Sequence, residues 1–131
     1  MANSTYKDLK VWSKSIDLAV AIYKAVKQLP KEELYGLSDQ MRRAVVSIPS
    51  NIAEGNQRDT TREYVHFLHI AKGSVAELDT QILLCDRLEY IKKEDVDDLY
   101  NQCSEIGRML NGLINKLLEK ENERRIQTKK A

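Results

Sequence analysis

The fold of this chain is decided by one stretch of nine residues, Ser47-Ile48-Pro49-Ser50-Asn51-Ile52-Ala53-Glu54-Gly55. Apolar residues recur before it and through it at helical spacing, so the stretch predicts part of an amphipathic helix. The apolar stripe of that helix consists of Met41, Val45, Ile48 and Ile52. Ser38 precedes the stripe and can cap the helix, and Gly55 predicts its end in the left-handed conformation.

A proline inside this predicted helix disturbs its hydrogen bonding. Pro49 lacks the N–H that would bond to the carbonyl of Val45, and a proline in a helix interior costs on the order of 3 kcal/mol. We therefore predict a kink at Pro49. The freed carbonyl needs a donor, which Ser50, Asn51 or water could supply.

Three further helices are predicted from apolar stripes at the same spacing. The first ends at Leu29-Pro30, because the residue before a proline leaves the helical region. Thr60 with Glu63 fits a capping box at the start of the third. The predicted stripes are Leu9, Trp12, Ile16, Ala19, Tyr23 and Val26 in the first helix, Tyr64, Leu68, Ala71, Val75, Leu78, Ile82 and Cys85 in the third, and Val96, Leu99, Cys103, Ile106, Leu110, Leu113 and Leu117 in the fourth.

The predicted architecture is all-α. Four helices with short connections pack as an antiparallel up-down-up-down bundle over residues 1–120. Residues 121–131 are charged and have little to bury, which predicts a flexible tail. Several helices carry more apolar residues than one stripe needs: Val11, Leu18, Ile22 and Leu29 in the first, Val65, Leu83 and Leu84 in the third, and Met109, Ile114 and Leu118 in the fourth. This excess indicates either a second buried surface, hence self-association, or a thicker single core.

The charges of the chain nearly cancel. Lys and Arg number 21 and Asp and Glu number 20, for a net charge of +1, which argues against strong non-specific nucleic-acid binding by one subunit. Bases nevertheless concentrate between residues 42 and 72, and more follow from Lys116 onward. The candidate contacts for nucleic acid or another partner are Arg42, Arg43, Arg58, Arg62 and Lys72. The alternative is that these arginines pair with glutamates inside or between subunits.

Polar residues also recur every three to four positions along the second helix, and a comparable row follows on the third. Two polar rows on consecutive antiparallel helices can meet in a partly buried network of hydrogen bonds. The predicted network comprises Arg43, Ser47, Asn51, Glu54, Glu63, Ser74 and Glu77.

Four motifs, taken in order, resemble a known family. They are Leu9-Lys10-Val11-Trp12, Tyr35-Gly36-Leu37-Ser38-Asp39-Gln40-Met41-Arg42-Arg43-Ala44, the stretch 47–55, and Gly73-Ser74-Val75-Ala76-Glu77-Leu78. Over roughly Tyr6 to Leu118 the chain resembles the four-helix-bundle proteins encoded in intervening sequences of bacterial 23S ribosomal RNA genes. The resemblance implies a ring-shaped homopentamer without an established enzymatic activity.

That family is similar in fold to the accessory variability protein of diversity-generating retroelements, which partners a reverse transcriptase and binds nucleic acid. The accessory protein is strongly basic, whereas this chain has a net charge of +1. The resemblance thus implies self-association, with RNA or a reverse transcriptase as candidate partners.

The residues that could carry chemistry are few. Glu63 and His66 have the Glu-x-x-His spacing of di-iron bundles, but the chain contains no second such pair. Together with His69 they therefore favour surface histidines over a metal site. Cys85 and Cys103 form no CxxC pair and predict buried, reduced thiols. We expect no catalytic residue, no cofactor and no metal.

The longest apolar run, Leu18 to Tyr23, is far too short to cross a bilayer, so we expect no membrane partner and a cytoplasmic location. The sequence predicts a non-enzymatic, homo-oligomeric four-helix bundle that binds RNA or another nucleic acid, or a protein that handles nucleic acid. The alternative is a purely structural protein–protein adaptor whose polar row forms a network at the subunit interface.

Overall fold

The computed structural model describes residues 5–130, which form four α-helices and no strand. The helices are α1 (Lys10–Ala25), α2 (Leu37–Asn56), α3 (Thr61–Arg87) and α4 (Lys93–Lys130). Short 3₁₀ turns at Tyr6–Asp8, Val26–Gln28 and Lys31–Glu33 precede α1 and lead from it to α2. The predicted all-α fold is confirmed.

Each helix packs against two neighbours, in the order α1–α2–α3–α4 and back to α1. Contacts between α2 and α3 run in opposite directions along the two sequences, with Gly55 beside Phe67, Ser47 beside Ser74, and Met41 beside Cys85. Residue numbers therefore fall along α2 as they rise along α3, which is the pattern of contacts between two antiparallel helices. The up-down order of the whole bundle and the kink at Pro49 stay predictions.

The core of α2 lies where its sequence pattern predicts. Met41, Val45, Ile48 and Ile52 are fully buried. Most of the predicted stripes of α3 and α4 are buried as well, and both cysteines lie among them as free thiols. These helices therefore present the predicted faces to the core.

The predicted stripe of α1 is confirmed only in part, since Leu9, Trp12 and Ala19 are partly buried against the core but do not form its centre. The residues of α1 that reach the core are Val11, Ser15, Leu18, Ile22 and Ala25, which belong mainly to the apolar excess. In the predicted stripe only Val26 is buried, whereas Ile16 and Tyr23 are 37% and 46% exposed. Two apolar stripes run along α1, and its neighbours select the one that faces inward. In the other stripe Ile16 and Tyr23 remain at the surface.

The beginning of α2 also differs from the sequence prediction. Ser38 is buried inside the first turn, and Gly36 occupies the cap position without a side chain to accept a hydrogen bond. The carboxylate of Glu33 supplies that acceptor, since its Oε1 lies 3.2 Å from the backbone N of Leu37. A residue four positions upstream thus replaces the predicted serine cap. At α3 the Thr60 half of the predicted capping box is confirmed, because the Thr60 hydroxyl accepts from the backbone N–H of Glu63 at 3.1 Å, while the reciprocal bond to the Glu63 carboxylate does not form in the described part of the chain.

Gly55 has a different role from the one predicted. The helix continues to Asn56, and Gly55 is helical rather than left-handed. A β-carbon at this position would lie 2.8 Å from Cβ of Phe67 and 3.1 Å from the carbonyl oxygen of Tyr64. Real Cβ contacts are rarely so short, so glycine permits α2 and α3 to approach closely here.

The hydrogen bonds around Pro49 are also local. The side-chain amide of Asn51 donates to the backbone carbonyl of Ser47 at 2.8 Å, not to the carbonyl of Val45. Pro49 itself is buried within α2. The helix therefore gains a side-chain bond next to the position where the proline removes a backbone one.

The last part of α4 continues as helix through Lys130, beyond the predicted domain end at residue 120. From Leu118 to Lys130 every residue is exposed except the half-buried Glu121. At about 1.5 Å per residue, α4 is some 57 Å long and α3 some 40 Å, so α4 projects past the bundle. The flexibility of residues 121–131 stays a prediction, and Ala131 lies outside the described residues.

Candidate assembly and nucleic-acid surfaces

The five predicted basic contacts do not form one cluster. Arg42 and Arg43 lie near the beginning of α2, and Arg58 lies two residues past its end. Sixteen residues separate Arg42 from Arg58, which corresponds to about 24 Å along the helix axis. Arg62 is in the first turn of α3, and Lys72 is near its middle. The side chains are therefore spread over most of the bundle's length.

Three of these five bases are already engaged within the chain. Arg42 donates to the carbonyl of Leu34 at 3.3 Å. Arg43 pairs with Asp39 at 3.0 Å. Arg58 is held twice, by Glu54 at 2.8 Å and by the ring of Phe67, whose centroid lies 4.8 Å from the guanidinium carbon. Pairing with a glutamate, the predicted alternative to nucleic-acid contact, occurs at Arg58. Exposed pairs of this kind contribute little stability.

The centre of the predicted polar network does form. The hydroxyls of Ser47 and Ser74 lie 2.9 Å apart and join α2 to α3. The side-chain amide of Asn51 donates to the hydroxyl of Ser47 at 2.9 Å and also to the backbone carbonyl of Ser47. The three side chains are half-buried or buried, so these hydrogen bonds are shielded from water. They tie the two helices together within one chain.

The outer members of the network lie apart from this centre. Arg43 and Glu54 pair with neighbours on their own segment of chain, as described above. Glu63 and Glu77 are exposed and form no salt bridge within residues 5–130. The structure thus joins the serines and the asparagine and leaves these two carboxylates available at the surface.

One further polar residue of the predicted row on the third helix lies beside this seam between α2 and α3. Gln81 is 5% exposed, and its Oε1 has no hydrogen-bond partner among the described residues. Its position, seven residues after Ser74, places it on the same face of α3.

The outward stripe of α1 forms an apolar groove with α2. The groove has a volume of about 500 Å³ and is lined by Ala19, Val20, Tyr23, Lys24, Lys27 and Val46. Val20 is 50% exposed and Val46 is 42% exposed. Its two charged residues are both lysines, and neither forms a salt bridge in the described part of the chain. Arg42 and Arg43 lie in an adjoining depression that also includes Tyr23 and Val46.

A second cleft, between α1 and α4, is polar. It has a volume of about 280 Å³ and contains Asp17, Asp98 and Gln102. Lys14 and Glu105 form a salt bridge there, which lowers the pKa of the Glu105 carboxyl mainly through their hydrogen bond. This cleft is therefore a surface of mixed charge in which Lys14 pairs with Glu105 and Gln102 with Asp98. The apolar groove is the more unusual feature for an exposed face.

The candidate metal and thiol residues are located as follows. His66 and His69 are exposed on α3. Across residues 5–130, no three His, Cys, Asp or Glu side chains are grouped closely enough to hold a metal ion. Burial raises the pKa of the Cys85 thiol to about 11 and that of the Cys103 thiol to about 12. Both cysteines are thus protonated near neutral pH. None of the described helices is both long and apolar enough to cross a membrane.

Four mutually packed helices, with a hydrogen-bonded seam between the second and third, define the class as a four-helix-bundle protein. Residues 7–112 match the sequence model of the 23S rRNA-intervening sequence protein family. The chain belongs to that family, and the resemblance noted from its motifs is confirmed.

Among the solved structures that match this chain, one is similar over most of the length of both chains. It is a crystal structure of a protein with unknown function from the S23 ribosomal protein family of Bacteroides thetaiotaomicron VPI-5482. The two chains share 31% sequence identity with a TM-score of 0.74, and the match covers 80% of this chain and 95% of that one. No curated protein sequence matches this chain.

Proposed function

We propose that this protein is a non-enzymatic, homo-oligomeric scaffold whose subunits associate through the apolar groove between α1 and α2. The observation that carries the proposal is the outward apolar stripe of α1. Ile16, Val20 and Tyr23 recur at intervals of four and three residues and are 37–50% exposed. Val20 and Tyr23 line the groove together with Ala19 and Val46, and Ile16 lies about one turn before Val20 on α1.

Burial of this surface would favour association. Apolar area removed from water contributes roughly 25 cal/mol per Å², and contiguous exposed apolar patches mark interaction sites in small proteins. A four-helix bundle of this size does not need a second apolar stripe on α1 for its own core, because Leu18 and Ile22 already fill that place. The number five for the subunits comes from the family resemblance alone.

Mass measurement tests the proposal directly. We expect size-exclusion chromatography with light scattering, and native mass spectrometry, to give a multiple of the 15.1 kDa chain mass at micromolar concentration. Val20→Arg places a charge in the groove and should reduce the mass to that of one chain. Ile126→Arg is the matched control, because Ile126 is similarly exposed at the end of α4. A wild-type protein that remains monomeric at high concentration would refute the proposal.

The second candidate function is nucleic-acid binding, favoured by the projecting end of α4. From residue 116 onward the chain carries six bases against three acids, and residues 118–130 are almost entirely exposed. In a ring, each subunit would present one such segment, and phosphate contacts would gain from multivalency. The partner is then RNA, or a protein such as a reverse transcriptase that handles nucleic acid. The predicted contacts Arg62 and Lys72 are exposed as well.

Salt dependence tests this second function. If phosphate contacts drive binding, the affinity for a single-stranded RNA should fall by tenfold or more between low and physiological salt. Arg124→Ala with Arg125→Ala should weaken binding uniformly across RNA sequences, and Glu119→Ala with Glu123→Ala should not. Absence of binding to both RNA and DNA at low salt would exclude this function and leave the scaffold.

A further inference from the structure

The charges around the apolar groove restrict what can occupy it. Its charged lining residues are Lys24 and Lys27, and the adjoining depression contains Arg42 and Arg43 together with Asp39, which pairs with Arg43. Two such grooves placed face to face would bring lysines against lysines, which like-charge repulsion disfavours. A symmetric groove-to-groove contact is therefore a poor solution. A suitable occupant needs an apolar row that also carries carboxylates.

One surface of the chain has these properties. On α3, Ile70, Glu77 and Leu84 are spaced seven residues apart and share one side of the helix, and Leu88, the residue that caps its C-terminal end, continues the row four residues later. The three apolar residues are 40%, 47% and 49% exposed. The carboxylate between them, Glu77, forms no salt bridge within the described part of the chain.

This row lies on a different side of the bundle from the groove. Ser74, which bonds to Ser47 of α2, is four residues after Ile70 and three before Glu77. The row therefore borders the seam between α2 and α3, whereas the groove borders the seam between α1 and α2. A head-to-tail contact requires that both surfaces of one subunit be occupied at the same time.

We propose that the α3 row of a second copy of this chain occupies the groove, with Ile70, Leu84 and Leu88 against the apolar lining and Glu77 near the lysines. This inference rests on the proposed self-association and adds which two surfaces meet. The contact is head-to-tail, because each subunit offers a groove to one neighbour and a row to another. Such a contact closes into a ring or extends into a filament, and it does not form a symmetric dimer.

Complementation between two variants tests the pairing. Val20→Arg blocks the groove and leaves the row intact, whereas Leu84→Arg blocks the row and leaves the groove intact. Each variant alone should shift from the oligomer to a monomer of unchanged helix content. An equimolar mixture should give a one-to-one heterodimer and nothing larger, because only one intact groove and one intact row remain. Native mass spectrometry with one partner labelled by ¹⁵N distinguishes the heterodimer.

A second pair of variants, Tyr23→Arg and Leu88→Arg, replaces any member of the first pair that does not fold, as judged by circular dichroism. If the groove variant dissociates while the row variant keeps the wild-type mass, the pairing is overturned and self-association through the groove stands. If both variants dissociate and their mixture stays monomeric, the single head-to-tail contact is also overturned. If neither variant changes the mass, the proposed association through the groove is wrong and the pairing with it.

Discussion

The two seams that border α2 have opposite chemistry. Between α2 and α3 the helices approach closely at Gly55 and are joined by the hydrogen bond between Ser47 and Ser74, to which Asn51 adds bonds from within α2. Between α1 and α2 the outward side of the seam is an open groove lined by Val20, Val46 and other side chains that the core does not use. At the first seam Ser47, Asn51 and Ser74 are hydrogen-bonded within the chain, whereas Oε1 of the neighbouring Gln81 has no partner among the described residues. At the second seam, apolar side chains such as Val20 and Val46 remain exposed after the chain has folded. Substitutions should therefore act on stability at the first and on assembly at the second.

The largest effect should come from comparing neighbours on α2. Val45 is fully buried, whereas Val46 is 42% exposed in the groove. Val45→Ala should lower the free energy of unfolding by about 2–3 kcal/mol, since it removes two buried methyl groups and leaves a cavity. Val46→Ala should change it by less than about 0.5 kcal/mol. Urea unfolding at sub-micromolar protein, where association contributes least, measures both. Equal losses would mean that the groove side belongs to the core.

A slightly smaller effect should follow from filling the close approach at Gly55. Gly55→Ala should destabilise the fold by about 1–3 kcal/mol, because the added Cβ meets Cβ of Phe67 and the backbone of Tyr64. Gly112→Ala is the matched control, since a Cβ there meets nothing within 4 Å, and it should stabilise α4 by up to about 1 kcal/mol. Thermal unfolding of both variants measures the difference. A stabilising Gly55→Ala would contradict the tight seam.

The hydrogen bonds of the seam should contribute less than its packing. Asn51→Ala removes two bonds to Ser47 and should cost about 1 kcal/mol, while the contact between the two serines remains. Thr80→Ala removes an exposed hydroxyl bond on α3 and should be nearly neutral. If Asn51→Ala instead left stability unchanged and reduced the oligomer mass, the polar row would act between subunits, as the adaptor alternative predicts.

The smallest effect near neutral pH concerns the thiol beneath the closed seam. Cys85 lies 3.6 Å from the sulfur of Met41, and burial raises its pKa to about 11. The thiol of the folded protein therefore keeps its proton at pH values above about 8.5, the pKa at which the thiol of an unfolded chain loses it. Stability from this source is complete below that value and is lost as the pH rises through about 11. The unfolding free energy should decline over this window, and less so in Cys85→Ala. An identical decline in the variant would assign it to other groups, such as Tyr64, whose pKa burial also raises.

Several features could be predicted from the sequence because local patterns determine them. The stripe of α2 and the Thr60 cap depend on residues within a few positions of one another, and both are confirmed. The pairing of Ser47 with Ser74 was predictable too, since both lie on polar rows of consecutive helices. The cap of α2 was not, because Glu33 reaches it through a turn whose geometry the sequence does not specify.

The candidate basic surface was the least predictable feature. Five basic residues between positions 42 and 72 are a cluster in sequence, but α2, its end and α3 carry them to separate places. Neighbouring carboxylates, a carbonyl and a ring then engage Arg42, Arg43 and Arg58. Proximity along the chain does not imply proximity in a bundle whose helices are tens of ångströms long.

The sequence by itself determined the helical class, the inward face of α2 and the family, because periodic apolar residues and contiguous motifs are properties of the chain alone. Only the tertiary structure decided which of the two stripes of α1 faces the core and what Gly55 is for. Both stripes of α1 have the same helical period, so nothing local distinguishes them, and packing against α2 and α4 selects Leu18 and Ile22. In the sequence, a glycine is compatible both with the end of a helix and with a close contact between two helices. The position of Phe67 on α3, next to Gly55, shows that the second role applies here.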